Sequence, residues 1–237
     1  MPAVLVHGVP DTAAMWDPLL AALTRDDVIT LALPGFGCPL PHGFGATKDE
    51  YAGWVADQID ALGEPVDLVG HDWGSLLTQR VALTRPELLR SFAMADGAVT
   101  GRFAWHDLAL QWQTPEVGEQ IMELMTGDAV ADALRDAGHP GAADAAEAVD
   151  DTMKGCILDL YRSATEIARE WSPTGPAERP GLVIWGTADP FGAVASGERF
   201  TEVTGAQLVV LDAAHWAPVE RPREAAAALE SFWASLD

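Results

Sequence analysis

The stretch that decides the fold is Val66-Asp67-Leu68-Val69-Gly70-His71-Asp72-Trp73-Gly74. Its first residues are largely apolar and end at a glycine. The apolar run Ser75–Leu83 that follows has the character of a helix. The whole reads as strand, sharp turn, helix, with the pattern Gly-x-nucleophile-x-Gly of an elbow that lifts a nucleophile out of a strained turn. A Cβ at either flanking position would collide with a neighbouring strand or helix. The central position carries Asp72 rather than serine. Taken alone, an aspartate in a tight turn is also ordinary turn chemistry, so the weight falls on the rest of the chain.

Working outward, Ala3–Val6 reads as a buried strand leading into His7-Gly8-Val9-Pro10, and Asp11–Thr24 carries apolar residues at helical spacing. Val28–Leu33 is a second strand, and Lys48–Leu62 a helix closed by Gly63. Ser91–Ala95, Gly181–Trp185 and Gln207–Leu211 complete the strands, and Glu224–Leu236 is a closing helix. Largely apolar strands alternating with helices predict a parallel sheet covered on both faces. Between the strands ending at Ala95 and starting at Gly181 the alternation stops, and the chain is Trp-rich, Ala-rich and helical. The expected organisation is a core of residues 1–97 and 179–237 with a helical cap at 98–178.

The chain has 237 residues and 49% hydrophobic content, which fits one domain with an inserted subdomain. With 14 basic and 36 acidic residues its net charge is −22. The basic clusters that bind nucleic acid or an anionic membrane are absent. No apolar run approaches the ~20 residues of a membrane span, and no secretory leader is read at the start. Cys38 and Cys156 stand alone, which suits a reducing, cytoplasmic setting. No Cys/His cluster suggests a metal, no cofactor is implied, and a homo-oligomer is compatible with the sequence.

Three groups follow the ends of separate strands in the order Asp72, Asp189, His215. Parallel sheets collect reactive groups at that edge, and the order nucleophile, acid, histidine is that of the α/β-hydrolases. The chain resembles this superfamily along its length, and within it the branch of epoxide hydrolases and haloalkane dehalogenases. The resemblance rests on His7-Gly8-Val9-Pro10, Gly70-His71-Asp72-Trp73-Gly74, Gly186-Thr187-Ala188-Asp189, Tyr161-Arg162, His215-Trp216 and Glu220-Arg221-Pro222. It implies an α/β-hydrolase fold, with a mostly parallel sheet, flanking helices and a helical cap. Such enzymes usually begin with an extra strand pair, which has no counterpart ahead of Ala3.

The resemblance also implies a chemistry. A carboxylate is ionised at neutral pH and can displace a leaving group from saturated carbon without a base. Asp72 would form an alkyl ester, and His215, oriented by Asp189, would activate the water that hydrolyses it. The N–H groups of Val9 and Trp73 would form the oxyanion hole. Asp96, after the fourth strand, is the alternative acid, since fluoroacetate dehalogenases and some haloalkane dehalogenases place theirs near there. Tyr161 would protonate an epoxide oxygen, or it is a core residue. The second cap tyrosine usual in epoxide hydrolases is missing, because the other tyrosine, Tyr51, lies in the core. Trp105, His106, Gln111 and Trp112 are candidates to replace it or to line the pocket. The Trp73 indole is a halide donor or a pocket wall. Ser75 is expected inside the helix, and His71 is expected to be a packed, hydrogen-bonded histidine. No arginine follows Asp72 closely, so a small neutral, partly apolar substrate is expected. Three functions follow: epoxide hydrolysis first, haloalkane dehalogenation second, and a ligand-binding protein on a retired hydrolase fold third.

Overall fold

The computed structural model describes residues 1–236; Asp237, the last residue of the expected core, lies outside the described residues. Six parallel strands form one sheet: β1 (Ala3–Val6), β2 (Val28–Leu31), β3 (Val66–His71), β4 (Leu89–Ala95), β5 (Gly181–Gly186) and β6 (Gln207–Leu211), in the order β2-β1-β3-β4-β5-β6. The order reverses between β1 and β3. Successive crossovers leave these two strands in opposite directions, which opens a crevice beyond their C-terminal ends. Val9 and Asp72 follow the two strands at that point.

The four inner strands, β1, β3, β4 and β5, are buried on both faces, so alternate residues feed two separate apolar layers. Val4, Val6, Leu68, Phe92, Met94, Val183 and Trp185 pack with α2 (Lys48–Asp60) and α3 (Trp73–Thr84). Ala3, Leu5, Val69, Ala93, Leu182 and Ile184 pack with Trp16, α11 (Ala217–Glu220) and α12 (Pro222–Ala234). Period-two alternation thus divides the core. At the opposite end of β3, the fully buried Asp67 accepts hydrogen bonds from Arg25, Arg90 and Ser91 at 2.6–3.0 Å. A charge inside a strand is tolerated there because its oxygens are satisfied.

The helix expected over Asp11–Thr24 is broken into a 3₁₀ turn, Ala13–Trp16, and the single turn α1 (Asp17–Leu20). Pro18 starts a fresh turn, and the buried Asp11 turns its carboxylate to His139 and Trp216 instead of capping a helix. Between β4 and β5 the chain runs through α4 (Asp107–Gln113), α5 (Val117–Leu124), α6 (Gly127–Asp136), α7 (Ala142–Glu147), α8 (Asp151–Arg162) and α9 (Ile167–Trp171). The Ala-rich stretch 127–150 therefore forms two short helices. Helix α10 (Val194–Thr204) lies between β5 and β6. Among the described residues no helix is long and apolar enough to cross a membrane.

Candidate active site

Asp72 caps α3 with φ 51° and ψ −119°, a conformation that costs a non-glycine residue about 1–3 kcal/mol. The flanking glycines make the turn sterically feasible. A Cβ on Gly70 would strike the Gly74 carbonyl, and one on Gly74 would strike the Val6 carbonyl of β1. Backbone therefore closes around the turn and forces the aspartate side chain outward. The Val9 N–H donates to Asp72 Oδ1 at 2.8 Å. Asp72 Oδ2 lies 3.5 Å from His215 Nε2, and His215 Nδ1 lies 3.0 Å from Asp189 Oδ1. Asp72, Asp189 and His215 thus form one chain of contacts across the ends of β3, β5 and β6.

The electrostatics follow from these contacts. Burial alone would raise the Asp72 pKa, but the facing His215 imidazole, His71 and the Val9 N–H outweigh it and leave the carboxyl below its usual value. Burial would lower the His215 pKa, yet hydrogen bonding and charge from Asp189 and Asp72 raise it well above the ordinary histidine value. Asp189 is fixed by its own turn, accepting the Phe191 N–H at 2.9 Å on the oxygen that meets His215. His71 is held neutral, its pKa lowered to about 4 chiefly by burial and then by His215. Its Nε2 sits 2.8 Å from the His215 carbonyl, so the ring braces the histidine loop from below.

Asp96, the other acid considered, does not reach the imidazole by a hydrogen bond. It accepts the Gly186 N–H at 2.8 Å and the Ala217 N–H at 3.0 Å, tying β4 to the end of β5 and the start of α11. Burial is the main reason its pKa stands well above the carboxylate norm. Ser75 is consumed by bonds with Gly70 and Ala95 at 2.8 Å. The Tyr51 hydroxyl donates to the Pro34 carbonyl at 2.7 Å inside the core.

Two cavities meet at Asp72, His106, Tyr161, Phe191 and His215. One, of about 270 Å³, is apolar and runs among Leu108, Trp112, Ile121, Met125, Val130 and Leu134. The other, of about 260 Å³, is polar and includes Trp105, Arg102, Ser196 and Arg199. The two arginines come from the loop after β4 and from α10, far in sequence from the elbow. Counting arginines beside Asp72 could not find them.

Tyr161 ends α8, with its ring 5.3 Å from Trp73, 5.1 Å from Trp105 and 4.8 Å from Trp112. Burial, then the Asp72 charge, holds its phenol well above the ordinary value, so it is a proton donor and not a phenolate. Its neighbour Arg162 turns away and binds Glu119 of α5 at 2.7 Å. For the Trp73 indole the sequence leaves two roles open, halide donor or pocket wall. It is fully buried, stacks on Trp105 at 5.5 Å and lines neither cavity. The Trp105 indole N–H is spent on the Ala164 carbonyl at 3.0 Å. His106 caps α4: its Nδ1 accepts the Ala109 N–H at 3.2 Å, which leaves Nε2 as the protonated nitrogen of the neutral ring. Burial foremost lowers its pKa and keeps it neutral. Gln111 lies in neither cavity lining. Among the described residues no group of three or more His, Cys, Asp or Glu is placed to hold a metal ion.

Sequence comparison places this geometry among known proteins. A (E)-2-((N-methylformamido)methylene)succinate hydrolase of Acinetobacter baylyi is 33% identical over 112 residues, 46% of this chain and 43% of that one. The first curated relatives are matched over less than two thirds of their own length, 36–60%. A haloalkane dehalogenase of Mycolicibacterium paratuberculosis is 25% identical over 99% of this chain and 84% of its own. The crystal structure of an epoxide hydrolase from Vigna radiata shares the fold at a TM-score of 0.79 and 19% identity, covering 99% of this chain and 91% of that one. The model of the alpha/beta hydrolase family matches residues 3–229, so with its six-stranded parallel sheet, elbow and strand-end triad the chain belongs to the alpha/beta hydrolase family.

Proposed function

We propose that this hydrolase works through a covalent ester on Asp72 and opens an epoxide ring with water. The observation that carries the ester is the Asp72 carboxylate itself: ionised, at the elbow, with Oδ1 on the Val9 N–H and Oδ2 facing His215. Oδ2, free of backbone donors, attacks a ring carbon and breaks its C–O bond. The Tyr161 hydroxyl gives a proton to the leaving oxygen, and the phenolate left behind takes the proton that the resting His215 imidazolium gives up once Asp72 is esterified. Neutral His215 then takes a proton from water, and the hydroxide adds to the ester carbonyl carbon. The oxyanion forms at Oδ1, against the N–H groups of Val9 and Trp73. Its collapse expels the diol and restores Asp72.

Esterification also readies the base. The resting imidazole is held protonated between two carboxylates, and the ester neutralises one of them. The His215 pKa then falls, so the ring releases its proton and, as the neutral imidazole, can act as base on water.

Tyr161 favours the epoxide over other leaving groups, because an alkoxide needs a proton whereas a halide leaves as a stable anion. Tyr161 lines both cavities and the Trp73 indole lines neither. His106 supplies a second donor, Nε2–H, in place of the missing tyrosine. Haloalkane dehalogenation is the second reading. It is favoured by the relative of that name and by the buried indole N–H groups of Trp73 and Trp112, which lack a protein partner. The test is mass spectrometry of His215→Gln incubated with a panel of epoxides and haloalkanes. An epoxide adduct on Asp72 is expected. An adduct formed only from haloalkanes, with halide release, would install the second reading, and no adduct on Asp72 from any compound would overturn the nucleophile.

A further inference from the structure

The polar cavity holds a second recognition feature besides the reactive groups. Arg199, half-buried on α10, has a single hydrogen-bond partner, the neutral Ser196 hydroxyl at 2.9 Å, and its buried Nε has none. Arg102, exposed on the loop after β4, lines the same space, and among the described residues no carboxylate pairs with either guanidinium. Other arginines without a carboxylate, Arg80 and Arg179, donate to backbone carbonyls instead. Cations elsewhere, such as Arg25, Arg90 and Arg162, each meet a carboxylate. Among the described residues, the carboxylates in this cavity are Asp72 and Asp96, and Asp96 is spent on two backbone N–H groups. A buried guanidinium N–H left without an acceptor is costly unless a ligand supplies one.

We infer that the polar cavity is an anion subsite, and that the substrate attacked by Asp72 carries a carboxylate received by Arg199 and Arg102. The inference rests on the proposed role of Asp72 only for the word substrate; the binding of the anion stands on the cavity alone. The planar guanidinium fork matches a carboxylate in bidentate geometry, and the Ser196 hydroxyl adds a third donor. The apolar cavity on the other side of Asp72 takes the hydrocarbon part. The substrate is thus an electrophile set between a carboxylate and an apolar chain. This departs from the neutral substrate expected when arginines were sought only beside Asp72 in the sequence.

The test has two arms. In the first, calorimetry compares hexanoate with hexanamide, neither of which can react. Wild-type protein should bind hexanoate at least about tenfold more tightly, the weight of one charge-assisted hydrogen bond. Arg199→Gln and Arg102→Gln should each lower that ratio, their combination should abolish it, and Arg199→Lys should fall between. Arg223→Gln, which removes the same charge from an exposed site on α12, should leave the ratio at the wild-type value. Equal binding of the two ligands by wild type, or a ratio untouched in the double variant, would overturn the subsite whatever the chemistry. In the second arm, 5,6-epoxyhexanoate and its methyl ester compete for His215→Gln. Preferential labelling of Asp72 by the carboxylate supports the inference. Preferential or equal labelling by the ester overturns it while leaving the nucleophile intact. Calorimetric preference with no adduct from either compound would keep the anion subsite and reject the nucleophile.

Discussion

The edge of the sheet and the helical segment above it contribute to the same site by different means. At the edge, Asp72 follows β3 directly while Asp189 and His215 come in the loops just after β5 and β6, and each is held by a local contact to backbone: the elbow, the Asp189 turn and the His71 brace. In the helical segment, Tyr161, His106 and Trp112 sit on α8 or at α4, and their position depends on how those helices pack over the sheet. In the proposed mechanism the edge supplies the groups that make and break bonds, and the helical segment those that receive the leaving oxygen and shape the cavities. Changes at the edge should therefore act on the chemical steps by orders of magnitude, and changes above it by smaller, substrate-dependent factors.

The strongest way to break this contrast is at Asp72. Asp72→Asn keeps the shape and removes the nucleophile, so turnover by freshly made protein should fall by about 10^5-fold or more while the fold persists. Full activity would end the covalent mechanism, and slow recovery would report deamidation of the new amide.

The two strand-end carboxylates sharpen it next. Asp189→Asn should slow ester hydrolysis by ~10^4-fold, as loss of the aspartate does in serine proteases. Asp96→Asn should cost less than about tenfold in rate but about 1–3 kcal/mol in stability, because an amide cannot accept both the Gly186 and Ala217 N–H groups as the carboxylate does. Single-turnover kinetics and thermal melts separate the two, and the reverse ranking would make Asp96 the acid.

Above the sheet, Tyr161→Phe should slow adduct formation from epoxides by ~10^2-fold, and Trp73→Phe much less. Pre-steady-state alkylation rates decide. A large Trp73 effect with a negligible Tyr161 effect would favour the dehalogenase.

A pH series tests the charge coupling. His215 in the free enzyme is raised by two carboxylates, and in the ester by one. Hydrolysis of the adduct should therefore rise with pH through an apparent pKa below that of His215 in the free enzyme. NMR titration of the free enzyme and single-turnover rates supply the two values. Equal values would mean that Asp72 contributes little to the resting imidazolium.

The smallest expected effect on rate lies where the two regions are tied. Asp11 accepts the Trp216 indole N–H and the His139 ring at 2.8 Å each, joining the His215 loop to the turn between α6 and α7. Asp11→Asn should change kcat by only a few-fold and cost about 1–3 kcal/mol of stability, as the loss of a buried charge-assisted bond does. The carboxyl pKa is lowered, since His139 and Trp216 outweigh burial. Its stabilisation is therefore present above the unfolded value of 3.8 and is lost as pH falls through the folded one. Melting curves from neutral to acidic pH should converge for wild type and variant.

The sequence alone determined the parallel sheet, the elbow, and the order Asp72, Asp189, His215. Those features are local: a buried strand shows as an apolar run, a tight turn demands glycine where a Cβ would strike backbone, and the residue after a strand's C-terminal end falls at the active edge whatever lies between. It left two acids open, because Asp96 and Asp189 both follow strands, and only the direction of each side chain separates a bond to an imidazole from two bonds to backbone. It also left open whether Trp73 faces the cavity, since the residue after the nucleophile starts a helix whose neighbours Trp105 and Tyr161 come from distant segments. The tertiary structure alone decided that Asp11 abandons its helix for His139 and Trp216, and that Arg102 and Arg199 face one cavity. Such meetings depend on how helices cross over the sheet, and no short-range period in a chain encodes the partner a side chain finds a hundred residues away.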